Sequence, residues 1–142
     1  MKVYNPSNCL VNKAKNIKSY ADAFNSKSLS LGSIQRQYGE KYTANFVTIW
    51  LIYLNEITNL KNPMSEEQIK LCSQMILNEF YSLKIADLTF LFSKIISGQY
   101  GEFYERLSID KILSYFRKYF DERCNQAEEQ NHLEHIKNKQ WP

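Results

Sequence analysis

Between Tyr42 and Phe120 the apolar residues return every third or fourth position. On a helix that spacing gathers them on one side, because i, i+3 and i+4 side chains sit above one another. The first run holds Tyr42, Phe46, Ile49, Trp50, Tyr53, Leu54 and Ile57, read as one buried face. Later runs hold Ile69, Cys72, Met75/Ile76 and Phe80, then Leu88, Leu91, Phe92 and Ile95, then Ile109, Ile112, Leu113, Phe116 and Phe120. A sheet would need alternation and many β-branched residues, yet Val occurs only three times and Thr is scarce. The chain is therefore predicted to be all-α, a single compact domain of five or six helices. Its 142 residues suffice for a real core without disulfide or metal staples.

The punctuation agrees with that period. Ser65 is followed three residues later by Gln68, a capping-box arrangement, with Met64 and Ile69 placed as a hydrophobic staple. Glu66 and Glu67 stand in the first turn, where the helix dipole favours acids. Short helices are predicted over 17–25 and 30–38, the second ending at Gly39; 59–63 and Gly98 are further stops. Ser108 opens the last strongly periodic helix, with Leu107 and Ile112 as a second staple. Residues 1–16 read as a flexible basic arm, extended or partly disordered, 17–124 as the helical domain, and 125–142 as a polar helix or tail. Gln37-Tyr38-Gly39-Glu40-Lys41-Tyr42 is echoed by Gln99-Tyr100-Gly101-Glu102-Phe103-Tyr104.

Charge is unevenly spread. Residues 1–41 carry seven basic and two acidic groups; residues 42–142 carry eleven and thirteen. The isoelectric point, about 8.7, is just below that of typical strong duplex-DNA binders. Three widely spaced cysteines, with no C-x-x-C, fit neither a disulfide framework nor a zinc knuckle. The N-terminal residues contain no apolar h-region, and Phe46–Leu54 is too short to cross a bilayer. A cytoplasmic protein with no membrane partner is expected.

Catalytic patterns are weak. His132 and His135 lie i, i+3 in a polar segment without a third metal ligand. Paired carboxylates such as Asp121-Glu122 diverge on a helix, and four glycines build no phosphate-cradling loop. Neither enzyme activity nor a cofactor is expected. The segment 97–106 joins Gly98 and Gly101 to three aromatics and a basic end, and loops of that make-up on a rigid scaffold tend to carry function. Tyr100 and Tyr104 are candidate stacking residues. Arg106, Lys111, Arg117 and Lys118 are candidate phosphate or carboxylate contacts along the adjoining helix.

The order Tyr38-Gly39, Trp50-Leu51, Tyr81-x-Leu83-Lys84-x-Ala86-Asp87-Leu88, Phe92, Gly98-x-Tyr100-Gly101-x-Phe103-Tyr104 and Arg123 resembles a family of small helical proteins of unknown function. Those proteins occur in Bacteroides-type gut bacteria and in their phages and conjugative elements. The resemblance spans roughly residues 28–124. It implies an accessory role in a phage or mobile element and carries no activity. Three classes stay open: a nucleic-acid-linked accessory of replication or regulation, a protein-binding adaptor or inhibitor, and a structural subunit of an assembly.

Overall fold

Serine hydroxyls set three of the helix starts. Ser19 accepts the Asp22 N–H at 3.1 Å, Ser30 the Ser33 N–H at 3.1 Å, and Ser65 the Gln68 N–H at 3.2 Å. Gln68 closes the predicted capping box by accepting the Ser65 N–H at 2.9 Å, and Met64 and Ile69 are buried beside it. The stops are also local. Gly39 and Gly98 take φ of 93° and 83°, a region that costs a side chain most, and Asn59 turns left-handed at φ 47°.

The computed structural model describes residues 4–101 and 107–139. Helix α1 (Pro6–Asn8) runs into a π-helical turn (Cys9–Lys13) and a 3-10 turn (Ala14–Asn16). Then come α2 (Tyr20–Phe24), α3 (Leu31–Tyr38), α4 (Glu40–Thr58), α5 (Glu66–Glu79), α6 (Ile85–Ile96) and α7 (Ile109–Lys139). The fold is all-α, and no strand occurs among the described residues. A lone antiparallel bridge pairs Ser30 with Lys84 and ties the start of α3 to the start of α6. No helix among the described residues is long and apolar enough to cross a membrane.

Residues 6–16, expected to be extended or partly disordered, instead wind into helical turns. Asn5 caps the first turn by accepting the Asn8 N–H at 2.8 Å, Pro6 is buried, and the Cys9 side chain joins the core where the π-helical turn packs on α6. Lys13 adds a cation–π contact, its Nζ 5.0 Å from the Tyr4 ring centroid.

Helix α4 forms the middle of the core. Its buried stripe is Thr43, Phe46, Val47, Trp50, Leu51 and Leu54. The predicted face was rotated: Tyr42, Ile49 and Ile57 turn out to be exposed. The period was right, but α4 is apolar on two sides, and spacing alone cannot rank them. Trp50 meets Phe92 of α6 edge-on at 5.1 Å, and Phe92 in turn meets Phe116 of α7 at 6.2 Å. Each such ring removes enough apolar surface from water to contribute roughly 1.5–3 kcal/mol. On α5, Met75 is exposed while Cys72 and Ile76 are buried, resolving the alternative between Met75 and Ile76.

Helix α7 crosses α2, α5 and α6. Its buried side holds Ile112, Leu113, Tyr115, Phe116 and Tyr119; Ile109 and Phe120 are only half-buried. The helix continues without a break from the core into the polar C-terminal segment as far as Lys139. Residues 131–138 are exposed throughout, His132 and His135 included.

Candidate functional site

Asp87 is the one acid in the apolar run of α6, and its side chain is fully enclosed. A buried carboxylate must be paired to be tolerated. Lys84 gives its backbone N–H to Oδ2 at 2.8 Å. From α7, Tyr119 Oη donates to Oδ1 at 2.7 Å and Arg123 Nε donates to the same oxygen at 3.0 Å. Tyr119 and Arg123 stand one turn apart, so a single face of α7 reaches one carboxylate. The Arg123 guanidinium also lies 5.7 Å from the Phe24 ring centroid, which brings in α2.

Two turns along α6 from Asp87 is Lys94, whose ammonium is boxed by rings. Nζ lies 4.7 Å from the Tyr20 centroid, 4.9 Å from Phe90 and 5.9 Å from Tyr100. Glu122 Oε2 is 4.0 Å away and also accepts the Tyr20 hydroxyl. Burial pulls the Lys94 pKa below the ordinary lysine value.

Tyr100 closes this box. Its ring stacks on Tyr115 at 5.7 Å with planes 17° apart, and Lys118 Nζ lies 5.5 Å from its centroid. The Tyr100 hydroxyl is buried without a hydrogen-bond partner among the described residues. Burial pushes its pKa up to about 12.

The structure thus brings together Tyr100 and Lys118 of the sequence-predicted site. Arg117 points the other way, where Nε and Nη2 hold both oxygens of Glu79 at 2.9 and 3.1 Å. That bidentate pair holds the Glu79 carboxyl below its usual range and Arg117 above its own. Lys111 is half-buried near the start of α7. Tyr104 and Arg106 lie outside the described residues. Sequence reasoning missed Tyr20, Asp87, Lys94, Tyr119, Glu122 and Arg123. A usable signal existed for Asp87: a lone acid among Ile85, Ala86, Leu88 and Leu91 has to be buried with partners.

A second feature lies on the far side of α4. Ile49, Ile52 and Ile57 are 51%, 41% and 50% exposed. A groove of about 230 Å³ runs between this face of α4 and α1, lined by Pro6, Ile49, Ile52, Tyr53 and Glu56. Another of about 360 Å³ runs between α4, the π-helical turn and α6, lined by Leu10, Val11, Tyr53, Ile57 and Ile96. Tyr53 lines both, so the two grooves meet at that residue and are together called the α4 track. Glu56 on its rim has no ion-pair partner among the described residues.

Compared with known proteins, the chain matches no family model, and no curated protein or solved structure is significantly similar to it.

Proposed function

We propose that the chain is a non-enzymatic accessory protein of a phage or mobile element, acting as a protein-binding adaptor. The occupant of its α4 track is an amphipathic helix of a partner protein, with basic residues along the edge of its apolar stripe. The observation that carries this reading is the set of exposed Ile49, Ile52, Ile57, Val11 and Ile96 lining two grooves that share Tyr53. Contiguous exposed apolar surface on a soluble fold marks an interaction site more often than scattered residues do. The linear track suits helix-in-groove recognition, and the unpaired Glu56 supplies the charge complement.

The test is site-specific photocrosslinking from position 52 in the full chain, with Ile49→Arg and Glu56→Lys variants beside it. Both substitutions are on the surface and should leave the far-UV spectrum unchanged. The wild type should crosslink to a helix of one partner, and each variant should weaken that complex at least about tenfold, or about 1.4 kcal/mol. A complex indifferent to both variants, or crosslinks only to a second copy of the chain, would overturn the reading.

A nucleic-acid-linked role in replication or regulation is the second reading. It is supported by Lys111 and Lys118 on α7, neither of which has a carboxylate partner among the described residues, with Tyr100 beside Lys118. Fluorescence anisotropy with a single-stranded oligonucleotide at two salt concentrations tests it. Phosphate contacts release counterions, so affinity should fall as salt rises, and less steeply in the Lys111→Glu/Lys118→Glu variant. No binding at low salt, or an unchanged slope, would remove this reading.

A further inference from the structure

We infer that the cleft between the N-terminal turns, the loop after α2 and the start of α6 is a binding site for a small organic anion. Its phosphate or carboxylate group would lie between Lys13 and Lys27, and its apolar body on Ile17, Ile85 and Ala86. The cleft holds about 460 Å³, within the usual range of small-molecule sites. It shares no lining residue with the α4 grooves or the Tyr100 cluster, so it stands independently of the adaptor reading.

The polar groups in the wall favour an acceptor. Lys13 and Lys27 both line the cleft, and neither has a carboxylate within ion-pair distance among the described residues. The single acid in the wall, Asp22, already accepts the Lys18 N–H through Oδ2 at 3.0 Å. The Ser26 and Ser28 hydroxyls lie 3.0 Å apart, and Ser28 Oγ also accepts the Ala86 N–H at 3.2 Å. Only one of their two protons can lie between the two oxygens, so the pair keeps the other to donate. An anionic oxygen in the cleft accepts from that hydroxyl and meets the two ammoniums at once.

The α6 terminus itself does not hold the anion. The Ile85 N–H goes to the Leu29 carbonyl at 3.0 Å and the Ala86 N–H to Ser28. Recognition therefore falls to side chains, and the apolar floor selects for a body attached to the charge. Free inorganic phosphate should bind more weakly than an anion carrying a ring.

The experiment is an amide-shift titration of the isotopically labelled full chain with phenyl phosphate, benzoate and inorganic phosphate. Phenyl phosphate or benzoate should give saturable shifts at Ser28, Ala86 and Thr89, with Kd below about 1 mM. Phenyl phosphate alone binding assigns a phosphate ligand, and benzoate alone a carboxylate; both binding leaves the charge as the shared determinant. The Lys13→Gln/Lys27→Gln variant should raise Kd at least about tenfold. If loss of the Lys13–Tyr4 contact unfolds the arm, the exposed Lys27→Gln alone should still raise Kd severalfold. No saturable shift from either ring anion would overturn the site. So would shifts indifferent to the lysines, or inorganic phosphate binding as tightly as phenyl phosphate.

Discussion

Tyr119 Oη donates to Asp87 Oδ1 at 2.7 Å, and both side chains are wholly buried. The bond joins the first turn of α6 to the middle of α7. With Arg123 on the same oxygen it fixes the register of the two helices, because two successive turns of α7 converge on one carboxylate.

Removing the carboxylate should therefore be severe. Asp87→Ala leaves Arg123 without its ion pair and the Tyr119 hydroxyl without an acceptor. Breaking a buried pair from one side typically costs about 3–5 kcal/mol. Tyr119→Phe removes one hydrogen bond and should cost about 1–3 kcal/mol. Urea unfolding followed by circular dichroism measures both, and an Asp87→Ala loss under about 1 kcal/mol would mean that the cluster does not hold the helices.

Three buried phenols make the fold sensitive to alkali. Burial pushes Tyr100 up to about 12 and raises Tyr115; burial, then the Asp87 charge, raises Tyr119. In the unfolded chain tyrosines lose their protons near about pH 10. The folded state keeps protons there that the unfolded state releases, so unfolding is favoured as pH rises. Stability should be complete below about pH 10 and fall as pH climbs through about 12. Tyrosinate absorbance and helicity recorded together provide the check: the buried phenols should ionise as the helix signal is lost, and Tyr100→Phe should soften the decline. Ionisation of all ten tyrosines near their free value, with the helices intact, would contradict it.

The cysteines should separate by reactivity. Cys9 and Cys72 are buried, and desolvation raises both thiols, Cys72 to about 12. Thiolate is the attacking species, so these two should be inert at neutral pH. Cys124 is half-buried on α7. Ellman's reagent should modify one thiol per native chain and three after denaturation, and Cys124→Ser should abolish the native reaction. Rapid native reaction at Cys9 would show that the N-terminal turns lift away from α6.

What could be read in the sequence was local. The Ser65–Gln68 box, its staple and the stops at Gly39, Asn59 and Gly98 depend on residues a few positions apart, and the structure reproduces them. Of the predicted site residues, Tyr100 and Lys118 come together, and they do so across the turn after α6 and α7 rather than along one segment. Asp87 meets Tyr119 and Arg123, and Lys94 meets Tyr20 and Glu122, through tertiary contacts between α2, α6 and α7 that no spacing within one helix encodes. The N-terminal turns were obscured because their polar composition hides two buried anchors, Pro6 and Cys9. Pairing of Arg117 with Glu79 was invisible because the two are 38 positions apart.

Helix α4 tests the difference between its two apolar sides directly. Trp50 is enclosed by the core and touches Phe46 and Phe92, whereas its neighbour Ile49 faces outward. Trp50→Ala opens a cavity that surrounding helices can only partly close, and should cost about 3–5 kcal/mol. Ile49→Ala removes little buried surface and should shift stability by less than about 0.5 kcal/mol. Both losses follow from one urea unfolding series with the wild type as reference. Since the two residues are adjacent on the same helix, propensity differences are small beside the expected gap. Equal losses at the two positions would show that the outer face is already covered, either by the N-terminal turns or by a second copy of the chain. A large loss at Trp50 alone leaves the Ile49 side open for the partner helix.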